Sequence, residues 1–230
     1  METTSSGFSL LELFIMGGIF MWPLLLFSIA TVAITLERLI YLLYHNLKLD
    51  DLREKVESAL LDGKLEEARE YLESQTKRRM GARILLTLVS RRGLSEHRLE
   101  KAVEAEAMSC ISSLENGFNF LTALGSLSPL TGFLGTVSGM IGAFRSIAEA
   151  TDVNAQIVAN GIYEALITTV FGLIIAIIAM SAHSLFSNKV DKFASEVEIV
   201  CSDLINRIVS DDQIGMTPNS EIPAGRANEN

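Results

Sequence analysis

Charge is what this sequence withholds over long stretches. Residues 14–36, FIMGGIFMWPLLLFSIATVAITL, contain no Asp, Glu, Lys or Arg, and neither do residues 116–144, NGFNFLTALGSLSPLTGFLGTVSGMIGAF. Residues 165–188, ALITTVFGLIIAIIAMSAHSLFSN, hold only His183 as a titratable group. A bilayer core takes about 20 apolar residues as a helix, so each run is long enough to cross. One such run fits a buried helix of a soluble protein, but three in 230 residues place the chain in the membrane class. Cysteine is scarce too. Cys110 and Cys201 are the only two, which excludes a disulfide framework, and no metal-ligand spacing surrounds them. The three histidines, His45, His97 and His183, are scattered. No HExxH, P-loop, nucleophile–base pair or paired intramembrane carboxylates appear, so the chain offers no enzyme site, no cofactor site and no metal site. The net charge is −9, and no basic stripe with interleaved aromatics is present, which argues against nucleic acid. The first run follows only Glu2 and Glu12, without a basic n-region or a small-residue cleavage site, and is read as a retained span.

Lys and Arg are absent from residues 1–13 and from 146–163, whereas 45–117 carries 13 of them, including Lys77, Arg78 and Arg79, and the chain after 188 carries four. The positive-inside rule then puts the N-terminus and the 146–163 link outside and the long loop and C-terminus inside. Arg38 fits, at the inner end of the first span, while Arg145 stands against the rule at the outer end of the second.

The expected architecture is all-α. It comprises an outer N-terminus (1–13), a first transmembrane helix (14–44), a cytoplasmic helical loop (45–115), a second span (116–145), a periplasmic link (146–163), a third span (164–188), a cytoplasmic helix (189–212) and a disordered tail (213–230). Within the loop, 50–74 alternates apolar and charged positions at helical spacing with a break at Gly63, 81–92 is a short helix, and 95–115 is a helix capped by Ser95. With no Pro or Gly before Gly117, that helix is expected to run on into the second span. The third span is expected to continue through 189–210 on a face of Val190, Phe193, Val197, Val200 and Leu204. The second and third spans thus extend as long helices into a helical cytoplasmic domain.

These two spans differ from lipid-facing anchors. The second carries Ser128, Thr131, Gly132, Gly135, Thr136, Gly139 and Gly142 around Pro129; the third carries Gly161, Ala165, Thr169, Gly172, Ala176, Ala179 and His183 at three- and four-residue spacing, hence on one face. Small residues let helix backbones approach in lipid, so Gly132, Gly135, Gly139, Gly142, Gly172 and Ala176 read as packing positions. The threonines have two readings. They bond back to their own helix and merely pack, or they line a cavity or face a charged group on a partner; the second is preferred for Thr136 and Thr169, which stand among Gly and Ala. Glu164, at the outer mouth of the third span, either complements the helix dipole or faces protein or water. Thr168 lies one turn beyond it, and Thr169 is turned about 100° from Thr168, so Glu164 and Thr169 do not share a face.

The segments PLTGFLGTVSGMIGAF (129–144) and GIYEALITTVFGLIIAIIA (161–179), with FMWPLLLFSIATVAITLER (20–38), resemble the ExbB/TolQ/MotA family of proton-channel stator subunits. The three-span layout and the MWPLLL start look most like ExbB. Two positions depart from the family pattern: Ser138 stands where Trp is frequent, and Ile178 where Pro is. The resemblance implies a pentamer of this chain around a dimer of a single-span ExbD/TolR-like partner carrying an intramembrane Asp, possibly with a TonB-like protein, in the bacterial inner membrane. It places the proton pathway and partner-facing positions on Thr136, Thr169 and Glu164, and Thr168, one turn after Glu164, is counted with them. The work it implies is use of the proton motive force on the cell envelope, with TonB-type transport first and TolQ-like envelope maintenance second. A non-conducting membrane scaffold is the rival from another class, and a membrane enzyme a further one.

Overall fold

The computed structural model describes residues 10–149 and 155–216, all-helical with no strand among them. The helices are α1 (Leu10–Met16), α2 (Met21–Tyr44), α3 (Asp50–Leu61), α4 (Leu65–Gln75), α5 (Met80–Ser90), α6 (Glu96–Glu115), α7 (Phe118–Glu149) and α8 (Ala155–Met216). Three stretches are long and apolar enough to cross a membrane: Met21–Tyr44, Glu96–Glu149 and Val158–Ser210. The chain divides into two compact units, one of residues 1–43 with 115–189, the other of 44–114 with 190–230.

The first unit holds the apolar runs. Its first run is not one helix from residue 14, as expected, because Gly17 and Gly18 interrupt it. Gly18 has φ +68°, a left-handed conformation that ends a helix and is open to glycine at little cost. α2 then starts at Met21 and places Pro23 in its first turn, where a missing N–H costs nothing. α2 buries Met21, Leu24, Thr31, Arg38 and Leu42 along one face. Met21 and Leu24 form an apolar cluster with Ile167 and Ile175 of α8, flanked by Leu13, Phe14, Phe27 and Phe171. Buried Arg38 pairs with Glu37 (Nη2–Oε1, 2.7 Å) and lies 5.0 Å from the Tyr41 ring centre. The expected single helix through the second span is also interrupted, by a two-residue turn at Asn116 and Gly117. Gly117 has φ +88°, and a β-carbon built on it would meet Arg38 and Ile34 at 3.5 and 3.6 Å. α7 carries Pro129 internally, which withholds one helical hydrogen bond, a loss that membrane helices tolerate within protein contacts. The link expected over 146–163 is largely helix, since α7 reaches Glu149 and α8 begins at Ala155; residues 150–154 lie outside the described ones.

The second unit is built like a water-soluble bundle. α3, α4 and α5 pack together on Leu52, Val56, Ala68, Leu72, Ile84, Leu85 and Leu88, all fully buried. Gly63 separates α3 from α4 at φ +70°, the break expected from its sequence. The backbone carbonyl of Ser95 accepts from the amides of Arg98 and Leu99 at the start of α6. Val190, Phe193, Val197, Val200 and Leu204 of α8 are all buried, as their spacing requires. α3 is tied to α8 by an alternating charge network, in which Arg53 meets Glu57 at 2.7 Å and Asp203 at 2.9 Å, and Arg207 meets the same two acids. Arg79, the third residue of the basic cluster, turns inward and donates to the Lys48 carbonyl at 2.9 Å. α8 runs to Met216, so residues 213–216 of the expected tail are helix; 1–9 and 217–230 lie outside the described residues.

Cys110 and Cys201 are free and buried, and burial pushes their thiols up to about 11 and about 12. Both stay protonated near neutrality, and the stabilisation tied to the neutral thiols is full below the ordinary thiol value of 9.0 and lost as pH rises through those two values. At about pH 8 a maleimide therefore labels neither thiol in the folded protein and both after denaturation, counted by mass spectrometry. Leu204→Ala is expected to cost about 2–5 kcal/mol in chemical denaturation, whereas Ile199→Ala, at a residue 65% exposed, leaves stability near wild type.

Candidate functional site

In lipid no hydrophobic force draws two apolar helices together, so a close helix pair depends on packing and hydrogen bonds. α7 buries Phe118, Leu121, Gly125, Ser128, Gly132, Gly135, Gly139 and Ala143, one stripe at three- and four-residue spacing. α8 answers with Ala165, Thr168, Gly172, Ala176, Ala179 and Ala182. The backbones touch. A β-carbon on Gly132 would stand 2.7 Å from the Thr168 carbonyl oxygen, one on Gly172 2.5 Å from the Ser128 carbonyl oxygen, and one on Gly139 2.9 Å from the Gly161 carbonyl oxygen. One on Gly135 would overlap the Thr168 hydroxyl, and one on Gly161 would meet the Ala143 methyl at 2.6 Å. No side chain larger than hydrogen fits these crossings without moving a backbone.

Hydroxyls gather at one point of this contact. Thr168 Oγ1 donates to the Gly132 carbonyl at 3.2 Å or to its own helix at Ala165 (2.9 Å), and Thr169 Oγ1 reaches the same Gly132 carbonyl at 3.3 Å. One turn further along α7, Thr136 Oγ1 donates back to Phe133 at 2.7 Å and remains half-buried. A hydroxyl rotor can turn from such a carbonyl to a better acceptor. Ser128 and Thr131 bond back to Leu124 and Leu127.

Among the residues singled out from sequence, the structure brings Gly132, Gly135, Gly139, Gly172, Thr168 and Thr169 into this one contact, with Thr136 beside it. Ala176 is buried on the same stripe of α8. Two expectations are corrected. Thr168 is 1% exposed and sealed between α7 and α8, so it faces no partner, because Gly132 and Gly135 leave a hollow that its side chain fills. Gly142 is exposed, with nothing within 4 Å of a β-carbon built there, and takes no part in the α7–α8 contact. Glu164 points elsewhere, onto Gly18 in the turn before α2. Arg145, the charge that broke the orientation rule, is exposed and paired with Glu149 at 2.9 Å. His183 packs edge-on to Phe118, with ring centres 5.8 Å apart. The sequence pattern did not single out Gly18 or Thr31, and it read Arg38 only as an orientation signal, not as a residue on the buried face of α2. The Gly17–Gly18 pair ahead of MWPL was the only signal for the first, and the second shows only once α2 has neighbours.

Comparison with known proteins adds an independent finding. Residues 53–199 match the model of the MotA/TolQ/ExbB proton channel family. The chain is 34% identical over 202 residues to a putative biopolymer transport protein, ExbB-like 1, of Synechocystis sp., covering 83% of this chain and 78% of that one. It is 29% identical over 187 residues to the biopolymer transport protein exbB1 of Vibrio cholerae, covering 79% and 80%. A shorter match, 44% over 81 residues, covers 35% of this chain and 36% of the Tol-Pal system protein TolQ of Haemophilus influenzae.

Gly132→Val is expected to push the helices apart and lower stability by about 1–3 kcal/mol. Thr168→Val, which keeps the shape and removes the hydroxyl, is expected to cost about 0.6 kcal/mol, the mean for hydrogen bonds between membrane helices. Thermal unfolding in one detergent, with Gly142→Val as the neutral control, measures both.

Proposed function

The chain belongs to the MotA/TolQ/ExbB proton channel family, and from that premise we propose that it is the ExbB-type subunit of an inner-membrane motor. In this reading it assembles as a pentamer around a single-span ExbD/TolR-like partner that brings an intramembrane Asp. The N-terminus is periplasmic and the C-terminus cytoplasmic, and the proton motive force drives work on the envelope, TonB-type transport first. The observation that carries the reading is the hydroxyl cluster on glycine-rich helices that have no carboxylate in the middle of their spans. The central parts of α7 and α8 contain no Asp or Glu, so the proton-binding group has to come from another chain. A deprotonated Asp in a low-dielectric passage needs hydrogen-bond donors. Thr136 and Thr169 supply them without adding a charge, and both are half-buried rather than sealed, unlike Thr168.

Protonation of that Asp removes its demand for donors and lets the partner helix move along a smooth small-residue surface. Each proton crossing releases about 2.3 kcal/mol per 100 mV. Several crossings in series reach the scale of a conformational step. Ser138 and Ile178, where the family often has Trp and Pro, leave these hydroxyls in place. The local match to a Tol-Pal system TolQ supports a second reading, an envelope-maintenance motor, and mass spectrometry of the co-purified partner separates the two.

Thr136→Ala and Thr169→Ala, assayed as proton uptake by vesicles holding the chain and its partner, are each expected to lower uptake about tenfold or more, the scale of losing one donor to a buried charge. The oligomer mass stays unchanged in both. Wild-type uptake in both variants would remove the hydroxyls from the pathway, whereas wild-type vesicles that take up no protons would favour a non-conducting scaffold.

A further inference from the structure

α8 carries two different stripes. Ala165, Thr168, Gly172, Ala176 and Ala179 form the small-residue face against α7. Glu164, Ile167, Phe171 and Ile175, also at three- and four-residue spacing, form a second face toward α2. Ile167 and Ile175 pack with Met21 and Leu24, and a β-carbon on Gly17 would touch Ile167 at 3.3 Å. One turn before Ile167, the half-buried Glu164 reaches the bend ahead of α2. A β-carbon on Gly18 would overlap its Oε1, lie 2.8 Å from its carboxyl carbon and 3.5 Å from its Cγ. Gly18 holds φ +68°, so two independent constraints, backbone conformation and contact, demand glycine at this position. The bend also begins a 24-residue helix, whose N-terminal end favours a negative charge beside it.

We propose that Gly18 is the seat of the Glu164 carboxylate, and that this contact makes Gly18 a positioning residue for the proton pathway by setting the rotation of α8. Thr169 lies five residues after Glu164, roughly 140° around the helix. Locking Glu164 against the α1–α2 bend therefore fixes the direction in which the Thr169 hydroxyl points, while Glu164 itself stays out of the hydroxyl cluster. The effect on transport rests on the channel reading above; the contact itself does not.

The experiment has two arms. In the first, the Gly18→Cys/Glu164→Cys protein in membranes is oxidised, denatured and alkylated. A disulfide leaves only the two native thiols open to alkylation, while the control pair Gly18→Cys/Tyr163→Cys leaves four. Equal cross-linking in both pairs, or none in the first, overturns the seat whether or not the protein conducts. In the second arm, proton uptake is measured in vesicles with the partner. Gly18→Ala falls to the level of Glu164→Ala, adding Gly18→Ala to Glu164→Ala costs nothing further, and Gly18→Ala with Glu164→Asp recovers uptake because the shorter acid clears the new methyl. Backbone strain alone would not be rescued by the shorter acid, so failure of that rescue, or wild-type uptake in Gly18→Ala, overturns the positioning role. Wild-type vesicles that take up no protons while the first disulfide still forms would sink the channel reading and the positioning role with it, leaving only the contact.

Discussion

The membrane unit depends on direct backbone contact between α7 and α8, centred on the Gly132 carbonyl. Three of its glycines meet a carbonyl oxygen of the facing helix at distances that a methyl group would violate. Dispersion attraction at this range and the threonine hydroxyls replace the hydrophobic effect, which lipid does not provide. Once this face of α8 is committed to α7, helical geometry sends Glu164, Ile167 and Ile175 toward α2, so one contact orders all three spans. The opposite side of α7 carries Phe133, Ile141 and Phe144, each more than 60% exposed, an apolar surface for lipid or further copies of the chain.

The second unit runs on different physics. Its helices bury Leu, Val, Ile and Phe and, apart from the inward-turned Arg79, keep charge outside, the pattern of folding in water. α8 contributes to both units, which divide at Lys189, and its packing residues differ on the two sides: Ala165, Thr168, Gly172, Ala176 and Ala179 face α7 before it, and Val190, Phe193, Val197 and Leu204 are buried after it. Helical spacing persists through the change, while the size of the inward residues does not. Small residues serve where contact must be close, and bulky ones where apolar area removed from water stabilises the fold.

The polar groups sort by enclosure. Thr168 is shut between two backbones and has two carbonyls within reach, a structural hydroxyl. Thr169, its neighbour in sequence, shares one of those carbonyls yet stays half-buried, because 100° of helical rotation takes it to the edge of the contact. Glu164 leaves both and rests on Gly18 in the turn before α2. Adjacent residues thus acquire separate roles from rotation about one axis.

Composition and period alone determined that the chain is helical, that three segments can cross a bilayer, and that the second and third present small-residue faces, because these properties depend only on residue type and the 3.6-residue turn. The family resemblance was legible for the same reason, in the glycine and threonine positions of 129–144 and 161–179. Only the tertiary structure decided that Thr168 rather than Thr169 is enclosed, that Gly142 faces away, and that Glu164 meets Gly18 some 146 positions earlier in the chain. It also decided that helices break at Gly18 and Gly117, where the spacing allowed continuation. These outcomes depend on which backbone lies opposite, and a sequence carries its own period but not the surface of its neighbour.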